Sequence, residues 1–436
     1  MPRAAHPTRS ARPAGTELMS DSTDALDTRE RSRLARNPTL LSVHHALMMS
    51  LFPMAILTLF QHEHLGLSVA EVMLVQAAFG AALAVFEFPS GYLADRIGYR
   101  TTMIAASLLS IVAWLVYCLA IGFWTVVLAE MLMGIGLSLV SGTNSAMLYE
   151  SLANLDQQEH FARWFARARS AAQIAEGSAA LLAGVLFAVS VRLPFYLMVV
   201  VWILNLGVAL ALAEPRYARR RVERPVAHVW SLVRFVAARA PRLRAVFAVA
   251  VVLGLASFIP VWLVQLYARD AGVPVTWLGP IWAVANYSVA IGSMLSNRIG
   301  RRVGLLSALL GCCGLVALGY FGMALTTAWW GFVFYFALNL CRGISAPLLA
   351  HAEQQEIPSG DRASLVSMRS LLFRVGFIAI GPAAGALVDL HGQHVVLLGL
   401  GIGMVAMALA ACAVLAGTAE TGPPRAHPVP PEPPSA

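Results

Sequence analysis

Gly91-Tyr92-Leu93-Ala94-Asp95-Arg96-Ile97-Gly98-Tyr99-Arg100 lies between two long apolar runs. A worn copy, Ser293-Met294-Leu295-Ser296-Asn297-Arg298-Ile299-Gly300-Arg301-Arg302, lies between two more, well into the second half of the chain. A charged, glycine-bearing stretch repeated at the same place in each half of an apolar chain marks a duplicated membrane protein.

Composition agrees. The chain has 436 residues, 58% hydrophobic and 12% charged, with mean hydropathy +0.70; an average soluble domain carries about 25% charged residues. The apolar runs are long enough to cross ~30 Å of hydrocarbon as helices. No water satisfies backbone groups there, so each span must be helical. The sequence reading places twelve spans at 39–61, 68–92, 101–123, 125–148, 161–190, 194–213, 244–268, 276–295, 303–325, 329–352, 361–390 and 395–416.

These spans sort into an unstructured tail (1–37), a first six-helix bundle (38–213), a polar linker (214–242), a second bundle (243–417) and a proline-rich tail (418–436). Within the linker, 226–238 reads either as plain linker or as an amphipathic helix on the membrane surface. All 31 basic residues are arginine. Only Arg192 and Arg269 fall in one set of loops, and Arg342, Arg369 and Arg374 fall within spans. Every other arginine sits in the tails, the alternate loops or the ends of the spans that meet those loops, which by the positive-inside rule puts both termini in the cytoplasm. The net charge of +8 is thus a matter of topology and does not imply nucleic acid. Cys118, Cys312, Cys313, Cys341 and Cys412 all lie within spans at no metal-ligand spacing, and read as packing residues.

The pattern Gly-x-Leu-Ala-Asp-Arg-x-Gly-x-Arg after an apolar helix, with twelve spans and a central polar loop, resembles the major facilitator superfamily of transporters. The resemblance implies an all-α fold of two pseudo-symmetric six-helix bundles around a cavity that opens alternately to either side. It further implies that Gly91, Asp95, Arg96, Gly98 and Arg100 form a gating latch on the cytoplasmic face. Asp95 would face the amino end of span 11 near 361–364, Gly91 and Gly98 would permit close approach and a tight turn, and the arginines would hold the loop to the surface. Asn297 replaces the aspartate in the second copy, which implies a weaker latch there. The string Glu130-Met131-Leu132-Met133-Gly134-Ile135-Gly136 is similar to a bacterial subgroup with a glutamate in helix 4. Drug exporters of the superfamily commonly have arginine there, and the glycine-rich exporter motif of helix 5 is missing around Gly177–Gly184.

Ionisable groups inside a membrane are site candidates by default. Glu130 lies about 8 Å below the outer end of span 4, at 1.5 Å per residue. Glu176 lies in span 5 beside Gln173. A desolvated carboxylate that exchanges a proton for a cation is the minimum part of a proton-coupled carrier; the alternative is a carboxylate that ties helices together. Arg342 lies about 20 Å from the outer end of span 10, placed to attract an anionic substrate or to clamp helices. Arg369 and Arg374 suit snorkelling or contacts between the halves, and Glu87 belongs with the repeated motif. His44 and His45 titrate near neutrality, but adjacent residues diverge by about 100° on a helix, so both cannot face a cavity. Spans 1, 4, 7 and 10 line the cavity in this superfamily, which nominates Met48, Met49, Phe52, Met133, Phe258, Trp262, Gln265 and Asn339.

No phosphate-cradling loop, zinc helix or nucleophile elbow is present, which argues against an enzyme. The expectation is a monomeric secondary transporter of the cytoplasmic membrane, without cofactor, exporting small amphipathic compounds in exchange for protons. Its rivals are an importer or uniporter of a small metabolite, and a non-transporting sensor or scaffold.

Overall fold

A computed structural model of the chain describes residues 27–216, 234, 236, 240–356 and 362–418. Among the described residues all regular structure is helical. Eleven helices are long and apolar enough to cross a membrane, by length and composition. Numbered so that the first span is α1, they are α2 (Val69–Ile97), α3 (Tyr99–Cys118), α4 (Phe123–Ala153), α5 (Phe161–Val189), α6 (Leu193–Ala211), α7 (Pro241–Asp270), α8 (Leu278–Val303), α9 (Leu305–Leu325), α10 (Tyr335–Glu356), α11 (Arg362–His391) and α12 (Gln393–Thr418).

The twelfth span is the first, and it departs from expectation. In place of one helix over 39–61, α1 (Asn37–Met48) stops, and the chain resumes as short pieces at Met54–Ile56, Leu57–Leu59 and a wide π turn at Phe60–His64. Pro53 is the cause: it has no N–H to give and its ring excludes the carbonyl four residues back.

α2 opens with the capping box expected of Ser68 and Glu71. Ser68 N–H donates to Glu71 Oε2 at 2.8 Å, and Glu71 N–H donates to Ser68 Oγ at 3.2 Å. The helix then runs through Pro89 to Ile97, five residues beyond the expected end, so most of the opening motif is helix. The reversal into α3 is made by Gly98 alone, at φ +96°, a conformation that side-chain-bearing residues rarely adopt. Glu214, just past α6, caps α3 from outside: its carboxylate accepts from the N–H groups of Tyr99 and Arg100, both at 2.7 Å. In the second half the same role falls to Gly304, at φ +79°. Gly300, the sequence counterpart of Gly98, lies inside α8. The structural turn is therefore four residues later than the sequence repeat.

Adding six to each helix number maps the packing onto itself. α2 packs on α4 as α8 packs on α10, and α3 on α4 and α6 as α9 on α10 and α12. α1 meets α5 and α6 as α7 meets α11 and α12. Across the halves, α2 against α11 corresponds to α5 against α8. Gly184 and Gly279 allow the second of these crossings, where an added Cβ on either would collide with the partner backbone, the small-residue packing that membrane helices use.

The N-terminal tail is not wholly unstructured. Thr28–Leu34 is helical, Leu34 is buried, and Glu30 pairs with Arg216 at 2.9 Å. These ties, with Asn37 bonded to Ser151 (2.8 Å) and Ala213 (2.7 Å), gather the ends of α1, α4 and α6 on one face. That face, which also carries the α2–α3 turn, is called the terminal face below. The 226–238 segment, except residues 234 and 236, and Asp361 lie outside the described residues. So do the 419–436 stretch and most of the linker.

Candidate functional site

A cluster of polar contacts joins the halves at the face opposite the termini. There the break in the first span leaves backbone groups without helical partners, and Gln265 of α7 satisfies three of them. Its Oε1 accepts from Thr58 N–H (2.9 Å) and Leu59 N–H (3.3 Å), and its Nε2 donates to Met54 C=O (3.1 Å). Asp389 of α11 caps α2 from the other half, accepting from Val69 and Ala70 N–H, both at 2.9 Å. Arg269 pairs with Glu63 at 3.3 Å. Further toward the terminal face, Arg374 of α11 pairs with Glu87 of α2 at 2.5 Å.

Between these contacts lies a cavity of about 410 Å³. Its walls are mostly thioether and aromatic: Met48, Met49, Met54 and Met133 with Trp114, Trp202, Trp262, Phe79, Phe258, Phe373 and Phe377. Such walls suit an apolar guest, and the few convergent polar groups, Gln76, Ser110, Glu130, Ser370 and Arg374, fix how it sits.

Glu130, 3% exposed, lies on this wall. Its Oε1 accepts from Tyr117 Oη at 2.8 Å and from Gln76 Nε2 at 3.4 Å, and Tyr117 Oη in turn accepts from Gln61 Nε2 at 2.6 Å. All these donors are neutral, and among the described residues no cation pairs with Glu130. A buried carboxylate held only by neutral donors is costly as an anion. It calls for a proton or a cation.

Other sequence candidates are placed elsewhere. Glu176 accepts from Gln173 at 2.9 Å and does not line the cavity. Arg342 lines a second, smaller cavity of about 210 Å³ in the second half. His44 is fully buried and packs edge-on to Trp202, ring centroids 6.4 Å apart, while His45 meets Asn144 at 3.3 Å; neither lines the main cavity. Met48, Met49, Met133, Phe258 and Trp262 do line it. Phe52 does not, and Asn339 spends its amide on Tyr335 C=O at 3.0 Å. Gln265 is absent from the wall because it is occupied with the broken span.

Within the motif, Gly98 makes the turn. Gly91 is exposed, with open space where its Cβ would be, so it supplies no close approach. Arg100 donates to Leu210 C=O at 2.8 Å. Asp95 is half-buried, and burial pushes its carboxyl above the ordinary value. The side chains at 361–364, its expected partner, are outside the described residues.

Sequence reasoning missed Gln61, Gln76 and Tyr117 around Glu130. Polar residues in apolar runs were the available signal, but only the fold shows that they converge. It also missed Asp389 and Glu214, which read as ordinary loop-end acids.

No curated protein matches the chain. Among solved structures it is similar to a variant of the nucleoside transporter NupG, at TM-score 0.75 and 15% identity, over 88% of this chain and 99% of that one. It is also similar to a variant of the peptide transporter POT (TM-score 0.68, 15% identity, 87% and 94%) and to a bacterial homolog of the human lysosomal transporter Spinster (0.62, 15%, 91% and 96%). At these identities the likeness speaks for the fold alone. The sequence profile of the Major Facilitator Superfamily matches residues 39–378, and the chain, a transporter-type membrane protein by sequence profile and by fold, belongs to that superfamily.

Proposed function

We propose that the protein is a secondary active transporter of the cytoplasmic membrane. It exports small, partly hydrophobic organic compounds by alternating access, in exchange for protons. The terminal face is cytoplasmic in this reading, supported by the arginine-rich loops that gather there. One observation carries it: a carboxylate without a cationic partner, Glu130, sits on the wall of a cavity to which both halves contribute. Such a group takes a proton when the cavity opens to the acidic side and gives it up, or exchanges it for substrate, when the cavity opens to the other. The latch residues Asp95, Arg96 and Arg100 regulate that exchange at the terminal face, and Glu176 serves only to tie α5 locally.

The test uses purified protein in liposomes with an imposed pH gradient and a panel of labelled amphipathic compounds. Wild type is expected to accumulate at least one compound against its gradient. Glu130→Gln is expected to lose gradient-driven accumulation while still equilibrating the compound downhill. Accumulation that persists in Glu130→Gln removes Glu130 from coupling, and no response of any compound to the gradient removes proton coupling altogether.

A further inference from the structure

The smaller cavity is built differently from the main one. It lies among α7, α10 and α11 and shares two wall residues, Ser370 and Phe373, with the main cavity. The two spaces adjoin there. Its walls carry Arg342, Arg369 and three serines, Ser257, Ser345 and Ser370; Arg369 is paired with Glu353, and Ser257 donates its hydroxyl to the Leu253 and Gly254 carbonyls.

Arg342 sits near mid-membrane, thirteen residues into its span from Trp329. A charge at that depth costs several kcal/mol unless it is paired or wet. Among the described residues Arg342 makes neither a hydrogen bond nor an ion pair. The nearest acid on its own helix face toward the terminal side, Glu353, is already held by Arg369 at 3.3 Å. A guanidinium that clamped helices together would show its acceptors. This one instead lines a space of about 210 Å³, large enough for a head group at about 30 Å³ per displaced water.

We propose that this cavity is an anion subsite of the transport site. Arg342 binds the carboxylate, or a sulfonate of similar size, of an amphipathic substrate, and Ser370 donates its hydroxyl to one of the remaining lone pairs. The apolar body of the substrate passes Phe373 into the methionine- and aromatic-walled cavity. The substrates are thus amphipathic organic anions rather than lipophilic cations. The subsite deepens the proposed transport function and rests on it for its purpose, though binding alone can be measured without transport.

The experiment compares 4-phenylbutyrate, 4-phenylbutan-1-ol and 4-phenylbutan-1-amine, which share a body and differ in head-group charge, on the full chain in nanodiscs. Affinity is measured by calorimetry, and the unliganded melting temperature checks folding of each variant. Wild type is expected to bind the carboxylate at least about tenfold tighter than the alcohol, the loss of one charge-assisted hydrogen bond or more. Arg342→Gln should abolish that preference at an unchanged melting temperature, and Arg342→Lys should keep part of it. Equal binding of the three compounds, tighter binding of the amine, no binding of the carboxylate, or a carboxylate preference intact in Arg342→Gln overturns the subsite. The same compounds in liposomes separate the two readings. Gradient-driven movement of the alcohol or amine with no carboxylate preference overturns the subsite and leaves transport standing. Arg342-dependent carboxylate binding with no movement under any gradient does the reverse.

Discussion

Single side chains decide two things here, a turn and a charge. At the turn, Gly98 combines a φ of +96° with a carboxylate that an added Cβ would approach to 2.9 Å. Gly98→Ala is expected to cost about 1–3 kcal/mol through backbone strain and the disturbed Glu214 cap, whereas Gly91→Ala, with open space around it, should be neutral. Thermal melts of the two variants check this pair. Asp95 is nearby and half-buried. Because burial raises its carboxyl in the folded state, stability falls as the pH climbs from the ordinary carboxylate value to the raised one, so Asp95→Asn should melt with wild type at acid pH and above it at neutral pH. At the charge, Tyr117→Phe leaves Glu130 Oε1 with Gln76 alone. It should slow pH-driven transport about tenfold, the worth of one hydrogen bond to a charged group, while Tyr117→Trp should disrupt packing as well. Glu130 was legible in the sequence because a carboxylate in an apolar run is conspicuous. Its donors Gln76 and Tyr117, and Gln61 behind Tyr117, were not, because they come from three different spans and glutamine or tyrosine in a span is unremarkable singly. His44 and His45 show the limit of such reasoning: the angular argument separates them, but it cannot say that one is buried against Trp202 and the other met by Asn144.

Among the elements, the first span behaves unlike the rest. Hydropathy registers 39–61 as one crossing, since Pro53 is as apolar as its neighbours, and it cannot register that the repair comes from Gln265, about two hundred positions later. The break matters because the exposed N–H groups of Thr58 and Leu59 are satisfied only while α7 stands against them. Gln265→Leu keeps the size and removes all three hydrogen bonds, leaving buried donors unpaired at about 1–3 kcal/mol each. Because those groups are rewetted when the halves part, the penalty falls on the arrangement closed at this face. The variant is expected to shift toward the state open there, seen as faster labelling of a Met54→Cys thiol by an impermeant maleimide from that side. Unchanged labelling would mean that Gln265 is a passive packing residue. The α8–α9 turn teaches a related lesson. The sequence repeat aligns Gly300 with Gly98, yet α8 continues for one more turn to Gly304, because helix ends follow capping and packing as well as residue identity.

At the scale of the whole molecule, span number and duplication were legible, since they rest on the length of apolar runs and on a motif that recurs. The partners across the halves were not: contacts between the halves were one of two readings for Arg374, but nothing local to it points to Glu87. Glu87 and Arg374 form one such pair, and they lie beside the cavity on the way to the terminal face. Removing either partner strands the other, while exchanging the two charges restores the attraction; Glu87→Arg with Arg374→Glu is therefore expected to recover most of the stability that either single variant loses, with a coupling of about 1–3 kcal/mol in a double-mutant cycle. The contact pattern repeats under a shift of six helices, so α2–α11 and α5–α8 are equivalent contacts related by the internal symmetry, and in the proposed alternating access they are the places where the halves would pivot. In a chain whose five buried cysteines are replaced, spin labels at positions 64 and 270, flanking the Glu63–Arg269 pair, report the separation of the halves at the face opposite the termini. Double electron–electron resonance should show a short distance as the main population and a longer one that grows in Gln265→Leu. One distance, unchanged by that substitution and by pH, would contradict alternating access by the two halves.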